Sequence, residues 1–222
     1  MSEVQLGEKV AIVTGASEGI GAALSRRLNA QGVRVVLVAR RVEPLEALVK
    51  TLNAEVPHLI FRADVSDDER MQALVEATLN AFGRIDILVN NAGLHHRGRF
   101  DANQTFDLAK MIDVNLRAPL VLMHLALPHL AKTHGNVVNV ASLAGHVPIP
   151  DSATYSSSKF GLRALTLALR QEWLERGVTF SLVSPGPVTT GFIMDNIDNV
   201  SDLTFSQPIS SAEEVTDDIL HC

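Results

Sequence analysis

Cysteine is almost missing from this 222-residue chain. The one thiol is Cys222, the last residue. An internal disulfide and a cysteine-built metal site are therefore both excluded. No His/Asp/Glu cluster suggests another kind of metal site. Positive charge is in deficit: 19 Lys and Arg face 25 Asp and Glu, a formal net charge of −6. That balance argues against a nucleic-acid-binding face and against an anionic-membrane binder. No uninterrupted apolar run approaches the ~20 residues of a membrane-spanning helix. No basic-then-apolar N-terminal segment suggests secretion, so a cytoplasmic protein is expected. Linkers, low-complexity tracts and short-period repeats are missing too. What remains is an ordinary globular composition, 46% hydrophobic and 20% charged, long enough for one domain over residues 1–222 with a sizeable core.

The apolar residues fall into short runs separated by helical stripes. Residues 9–13 read as a buried strand. A glycine-rich turn follows at once, Thr14-Gly-Ala-Ser-Glu-Gly-Ile-Gly21. Ala22, Ala23, Leu24 and Leu28 then give a helical stripe that stops at Gly32. Residues 33–39 are a second strand. Strand, turn, helix and strand make a βαβ unit, which implies parallel strands and a right-handed crossover. The alternation repeats. A helix is predicted over 44–55, a strand over 59–63, and a helix from Asp67 or Asp68 to Phe82, closed by Gly83. A fourth strand covers 85–90. A long apolar helix is predicted from about 114 to 133, bent or broken near Pro128. A fifth strand, 136–141, leads into Ser142. Asp151 or Ser152 caps the next helix, which runs to about 176, and a sixth strand covers 178–183. Ser210 or Ser211 caps a last short helix, with Glu213 or Glu214 near its third position. Strands alternating with helices predict a doubly wound α/β sheet.

Ligands in such sheets bind at the carboxyl ends of the strands. Gly15, Asp64, Asn91, Ser142 and Pro185 all stand at predicted strand ends, so separate motifs converge on one edge. Gly15, Gly19 and Gly21 permit a tight turn and a close approach of backbone to a pyrophosphate, whose charge a helix N-terminus stabilises. The end of the second strand should read the adenosine ribose. A carboxylate there suits the hydroxyls of NAD, whereas a basic residue accommodates a 2′-phosphate. The strand ends in Ala39-Arg40-Arg41 with no carboxylate at its tip, and Ser17 adds a hydroxyl. NADP is therefore expected, with NAD as the alternative because Glu18 and Glu43 lie nearby. Asp64 can accept from an adenine amino group. Asn91, Ala92 and Gly93 are small enough to admit a flat ring or a ribose.

Beyond Ser142, Tyr155 and Lys159 are four apart on one helix and share a face. A serine at a strand end, a tyrosine and a lysine one turn on can make a proton-transfer site.

These motifs, in this order, resemble the short-chain dehydrogenase/reductase family over nearly the whole chain. The family's Thr-Gly-x-x-x-Gly-Ile-Gly appears as residues 14–21, and its Asn-Asn-Ala-Gly as residues 90–93. Its Asn, Ser and Tyr-x-x-x-Lys set falls on Asn115, Ser142, Tyr155 and Lys159. Its Pro-Gly-x-x-x-Thr falls on Pro185, Gly186 and Thr190. The resemblance implies a Rossmann-like fold with Ile20 and Val65 also at the cofactor. It implies Tyr155 as general acid in carbonyl reduction and general base in alcohol oxidation. Lys159 would lower the phenol's ionisation and hold the nicotinamide ribose. Ser142 would position the substrate oxygen, and Asn115 would interrupt the long helix and hold a water. Val188 and Thr190 would fix the carboxamide. Family members usually continue into a seventh strand and closing segment. With Cys222 coming soon after the last helix begins, six strands are expected.

The implied substrate is a small hydrophobic ketone or secondary alcohol. Leu94, His95, His96, residues 143–149 and Phe192, Ile193 and Met194 would form an apolar pocket with scattered imidazoles, His146 among them. Two rival readings share the fold: a catalytically silent nucleotide-binding or scaffold protein, and an epimerase or dehydratase using the same tyrosine. The surplus apolar faces of the long helix and of the helix bearing Tyr155 imply a homodimer, with a tetramer as the larger alternative.

Overall fold

The computed structural model describes residues 6–191 and 208–222. Six parallel strands form one sheet: β1 (Val10–Thr14), β2 (Arg34–Ala39), β3 (His58–Arg62), β4 (Ile87–Asn90), β5 (Asn136–Val140) and β6 (Thr179–Val183). Their order is β3-β2-β1-β4-β5-β6. The order reverses between β1 and β4, which makes the carboxyl edge there a switch point. Register fixes that edge. Thr14 pairs with Val38, Val13 with Val89 and Asn90 with Asn139.

β1 is the centre of the core because its side chains alternate between two apolar layers. Val10 and Ile12 pack under α3 (Asp68–Phe82) and α5 (Ala118–Thr133). Ala11 and Val13 pack on the other face, under α1 (Gly19–Ala30), α2 (Glu43–Val49) and α7 (Ala212–Leu220). Ile12 is completely buried; truncating such a residue to alanine costs about 2–5 kcal/mol. α1 and α7 are also joined at the surface by Arg27 and Asp217, 2.9 Å apart.

Several predicted boundaries hold for the reasons expected. The Asp67 carboxylate accepts from the Arg70 amide at 3.1 Å. Gly83 ends α3 in the left-handed region, at φ 74°. Ser211 and Glu214 form a reciprocal capping box at the start of α7.

Others are corrected. The helix predicted to start near Val114 is preceded by α4 (Thr105–Ile112), joined to α5 through one wide π-helical turn at Asp113–Arg117. Pro128 does not break α5; Leu122, Met123, Ala126, Leu127 and Leu130 are buried around it and hold the helix together. α2 ends at Val49 rather than near residue 55. α6 (Ala153–Glu172) carries Tyr155, and neither Asp151 nor the Ser152 side chain caps it. Ser152 occupies the cap position without a capping bond, because its hydroxyl meets the His95 imidazole at 3.1 Å.

Candidate active site

The glycine turn is clamped to the neighbouring strand. The Thr14 hydroxyl donates to the Val89 carbonyl at 3.2 Å. It accepts from the amides of Asn91 and Ala92, both at 3.0 Å. The Asn91 side-chain amide donates to the carbonyls of Thr14 and Gly15, at 2.9 and 3.2 Å. Gly15 adopts φ 65°, a conformation that L side chains resist. Gly21 serves packing instead: a Cβ there would lie 2.2 Å from the Gly15 carbonyl oxygen. α1 then starts with no side-chain cap and no acidic residue in its first turn. Its first amides point along the helix axis without a capping partner, a donor set suited to a pyrophosphate.

One cavity of about 960 Å³ runs along the carboxyl edge of the sheet. Of the residues singled out for cofactor binding and catalysis, all but Gly21 and Asn115 line it: Gly15, Ser17, Gly19, Ile20, Arg40, Arg41, Asp64, Val65, Asn91, Ala92, Gly93, Ser142, Tyr155, Lys159, Pro185, Gly186, Val188 and Thr190; of the expected pocket residues, His96, Gly145 and Pro148 do not. Phe192, Ile193 and Met194 lie outside the described residues.

At the end beside β2 the two arginines differ. Arg41 is paired with Glu18 at 3.0 Å. Arg40 is exposed and makes no ion pair among the described residues. Asp64 is more committed than expected. One carboxylate oxygen accepts from the amide and hydroxyl of Ser66, at 3.0 and 2.7 Å. The other meets the Lys110 ammonium from α4 at 3.2 Å. Burial pushes its carboxyl up, but the Ser66 hydrogen bonds and the Lys110 charge outweigh this and hold it below the usual range.

The proton-transfer residues meet at the other end. Ser142 lies two residues past β5 in extended backbone, and its hydroxyl accepts from the Ala144 amide at 3.2 Å. The tight turn that follows lies directly on α6: a Cβ on Gly145 would come within 2.8 Å of the Lys159 carbonyl oxygen. That contact brings Ser142 to Tyr155, near enough for its hydroxyl to favour the phenolate. Lys159 is 4% exposed. Its ammonium donates to the Val140 carbonyl at 2.9 Å and lies 5.8 Å from the Tyr155 ring centroid.

Burial dominates the electrostatics of these groups. Burial pushes the Tyr155 phenol up, and the Ser142 hydrogen bond and the Arg97 charge only partly offset it. Lys159 is not among the groups that lower it; burial pushes the ammonium itself down to about 8. The protein alone therefore favours the protonated phenol.

Asn115 stands in the π-helical turn, fully buried. Its carbonyl accepts from the Leu94 amide at 2.8 Å, and its amide donates to the Leu94 carbonyl at 2.8 Å and to the Ser158 hydroxyl at 3.1 Å. All of its side chain goes into holding the strand-4 loop to α6, which is why it does not reach the cavity. A second buried relay links Asn90, Asn139 and Thr166, each step 2.8 Å. No pattern in the sequence announces it.

The pocket is less apolar than expected. Leu94, Leu143, Ala144, Val147 and Ile149 line it, but so do Arg97, Arg99, Asp151 and Ser152. His95 stacks on Tyr155, ring centroids 3.9 Å apart. Burial, the charge of Arg97 and the neighbouring His96 and Lys159 push its imidazole down to about 3, so it is neutral at physiological pH. His146 lines the cavity and meets the Ser184 hydroxyl at 3.0 Å. Sequence reasoning missed Arg97 altogether. Its only signal was a basic residue in the loop after the fourth strand.

The fold and this site define a dinucleotide-linked oxidoreductase, and comparison identifies the family. Residues 9–200 match the family model described as short chain dehydrogenase, and the chain belongs to that family. It is 38% identical over 205 residues to an oxidoreductase of Staphylococcus saprophyticus, covering 91% of this chain and 81% of that protein. It is 36% identical over 184 residues to the L-fucose dehydrogenase of Mus musculus, covering 82% of this chain and 66% of the mouse protein. Among solved structures, a metagenomic short-chain oxidoreductase in complex with NADP superposes with a TM-score of 0.83 at 34% identity, over 97% of this chain and 90% of that one. Levodione reductase superposes with a TM-score of 0.89 at 27% identity, over 96% of this chain and 90% of that one. No helix among the described residues is long and apolar enough to cross a membrane.

Proposed function

We propose that this protein is an NADP-dependent oxidoreductase that reversibly interconverts a ketone and a secondary alcohol on a small hydrophobic substrate. The observation that carries the reading is the meeting of Ser142, Tyr155 and Lys159 at one end of a cavity whose other end is a glycine turn. Residues at Gly15, Gly19 and the start of α1 would hold the pyrophosphate, Arg40 the 2′-phosphate, and Asn91, Gly93 and Lys159 the nicotinamide ribose. Val188 and Thr190 would face the carboxamide. The NADP complex of a 34%-identical neighbour supports the choice of cofactor.

When bound, NADPH supplies the hydride. Tyr155 donates its phenolic proton to the carbonyl oxygen, and Ser142 donates a hydrogen bond that orients that oxygen. Preorganising the acceptor in this way lowers the entropy cost of the step, and proton donation of this kind is typically worth about 10² to 10⁴ in rate. For alcohol oxidation Tyr155 must first ionise. Lowering its ordinary value of ~10 to near 7 takes roughly 4 kcal/mol, and this chain's burial of the phenol works against it. Asn115 acts at one remove, fixing Leu94 and thereby the loop that floors the pocket.

The deciding experiment is NADPH consumption against a panel of ketones and aldehydes, with Tyr155→Phe as control. Turnover in the wild type that the variant lacks supports the reading. Cofactor binding with no turnover on any carbonyl would favour the silent nucleotide-binding alternative.

A further inference from the structure

Arg97 is a cation without a role in the scheme above. It belongs to the loop after β4, two residues past His95, and it lines the same cavity as Ser142, Tyr155 and Ser152. It is only partly accessible to solvent. Among the described residues it makes no ion pair and no side-chain hydrogen bond. A guanidinium drawn out of bulk water and left without a carboxylate is costly, unless a ligand completes it. Its neighbour shows the contrast: Arg99 is tied to Asp101 through two contacts, at 3.1 and 3.0 Å.

The loop is held in place. The Gly98 amide donates to the Asp151 carbonyl at 2.9 Å, which pins it to the segment before α6. His95 is fixed between Tyr155 and Ser152. Arg97 therefore stands on a braced loop, on the substrate side of Tyr155 and at the opposite end from Arg40. The 2′-phosphate is served at that other end, so the dinucleotide does not account for Arg97.

We propose that Arg97 is a specificity-determining residue that binds a carboxylate on the substrate, so that the substrate class is an oxo acid or hydroxy acid with an apolar body. A planar guanidinium takes one carboxylate through two parallel hydrogen bonds. A phosphate dianion fits less well. Arg97 is the one unpaired arginine at this end among the described residues, and the Asp151 carboxylate lines the same pocket. Leu94, Leu143, Val147 and Ile149 supply walls for the chain between carboxylate and carbonyl. In the reduction, hydride adds to the carbonyl carbon and the Tyr155 proton to its oxygen. The carboxylate keeps its charge at Arg97 throughout, and the products are the hydroxy acid and oxidised cofactor. The electrostatic reach of Arg97 to Tyr155 agrees with the placement.

The inference rests on the hydride-transfer reading, and its test separates the two. Rates are measured with 2-oxo-, 4-oxo- and 5-oxohexanoate and with their methyl esters, which differ only in charge. The wild type should favour at least one acid over its ester by about 10- to 100-fold in KM, the worth of a charged hydrogen bond. Arg97→Gln should collapse that acid-to-ester ratio toward one, and Arg97→Lys should restore part of it. A wild type indifferent to the charge, or an Arg97→Gln variant that keeps the ratio, overturns the inference. If neither acids nor esters turn over, the hydride-transfer reading is decided by the wider carbonyl panel, and binding decides the inference alone. Hexanoate, but not hexanamide, should then raise the melting temperature of the wild type in the presence of NADP⁺ and leave Arg97→Gln unmoved. Equal shifts with both ligands, or in both proteins, would also overturn it.

Discussion

His95 lies flat on Tyr155, with planes 15° apart and ring centroids at 3.9 Å. An imidazole in that position cannot be protonated cheaply, first because it is buried, and then because its charge would join those of Arg97 and Lys159. Its ionisation at about 3 expresses that cost.

A consequence for stability follows. Above about pH 6.5 the imidazole is neutral in both the folded and the unfolded chain, and His95 adds no pH slope. Below that, the unfolded chain takes up a proton that folded His95 refuses until about pH 3. The unfolded state then binds more protons, so stability falls as pH falls. Urea unfolding of the wild type at pH 7 and pH 5 should show a loss that His95→Gln largely lacks, on the order of 1–2 kcal/mol. Parallel curves for the two proteins would remove His95 as the source.

Tyr155 is the only tyrosine in the chain, so its ionisation can be followed directly by ultraviolet absorbance. In the free protein the phenolate should appear only above the ordinary tyrosine range, because burial dominates. Tyr155→Phe should lower turnover at least a hundredfold, by loss of general acid catalysis, with cofactor affinity nearly unchanged. Comparable rates in the two proteins would exclude Tyr155 as the proton donor.

Coenzyme preference should follow Arg40 more than Arg41, since Glu18 already holds Arg41. NADPH is expected to bind more tightly than NADH. Arg40→Asp should reverse or abolish the difference, by placing a carboxylate where a 2′-phosphate would sit. Fluorescence titration measures both affinities. A wild type that prefers NADH would show Arg40 to be an ordinary surface residue.

Assembly is the fourth expectation. On α6, Tyr155, Lys159, Leu162 and Thr166 are buried, whereas Ala164 and Leu167, and Leu174 just beyond its end, face outward and exposed. Leu120 on α5 is likewise exposed. A homodimer that covers these faces is expected, and Leu167→Glu should dissociate it by placing a charge in the contact. Light scattering at micromolar concentration checks it, and a monomeric wild type would end the idea.

Much of this site was readable because it obeys two rules. Parallel strands deliver their ligand-binding residues to one edge, so Gly15, Asn91, Ser142 and Pro185 could be placed together from strand ends alone. Helical spacing joined Tyr155 to Lys159. Residues without a period were invisible. Arg97 is in a loop whose path depends on Asn115 gripping Leu94 and on Gly98 bonding to Asp151. α4 was missed because Gln104 makes no side-chain capping bond, leaving no start signal. Ser152 looked like a cap because hydroxyls commonly are, yet tertiary packing gave its oxygen to His95. The burial of Tyr155 in the free protein was not legible, because desolvation depends on what covers a side chain, and spacing says nothing of that.

The contact between α1 and α7 bears on how the chain comes to fold. Arg27 and Asp217 meet across nearly the full sequence, and Val215 and Ile219 complete the same apolar layer as Leu24 and Leu28. The glycine turn opens a helix whose apolar bed is complete only when α7 is docked. Docking of α7 on α1 therefore joins positions far apart in sequence. Such long-range closure is slow. The cofactor, by binding only the closed form, would act as the latch that keeps the two ends together.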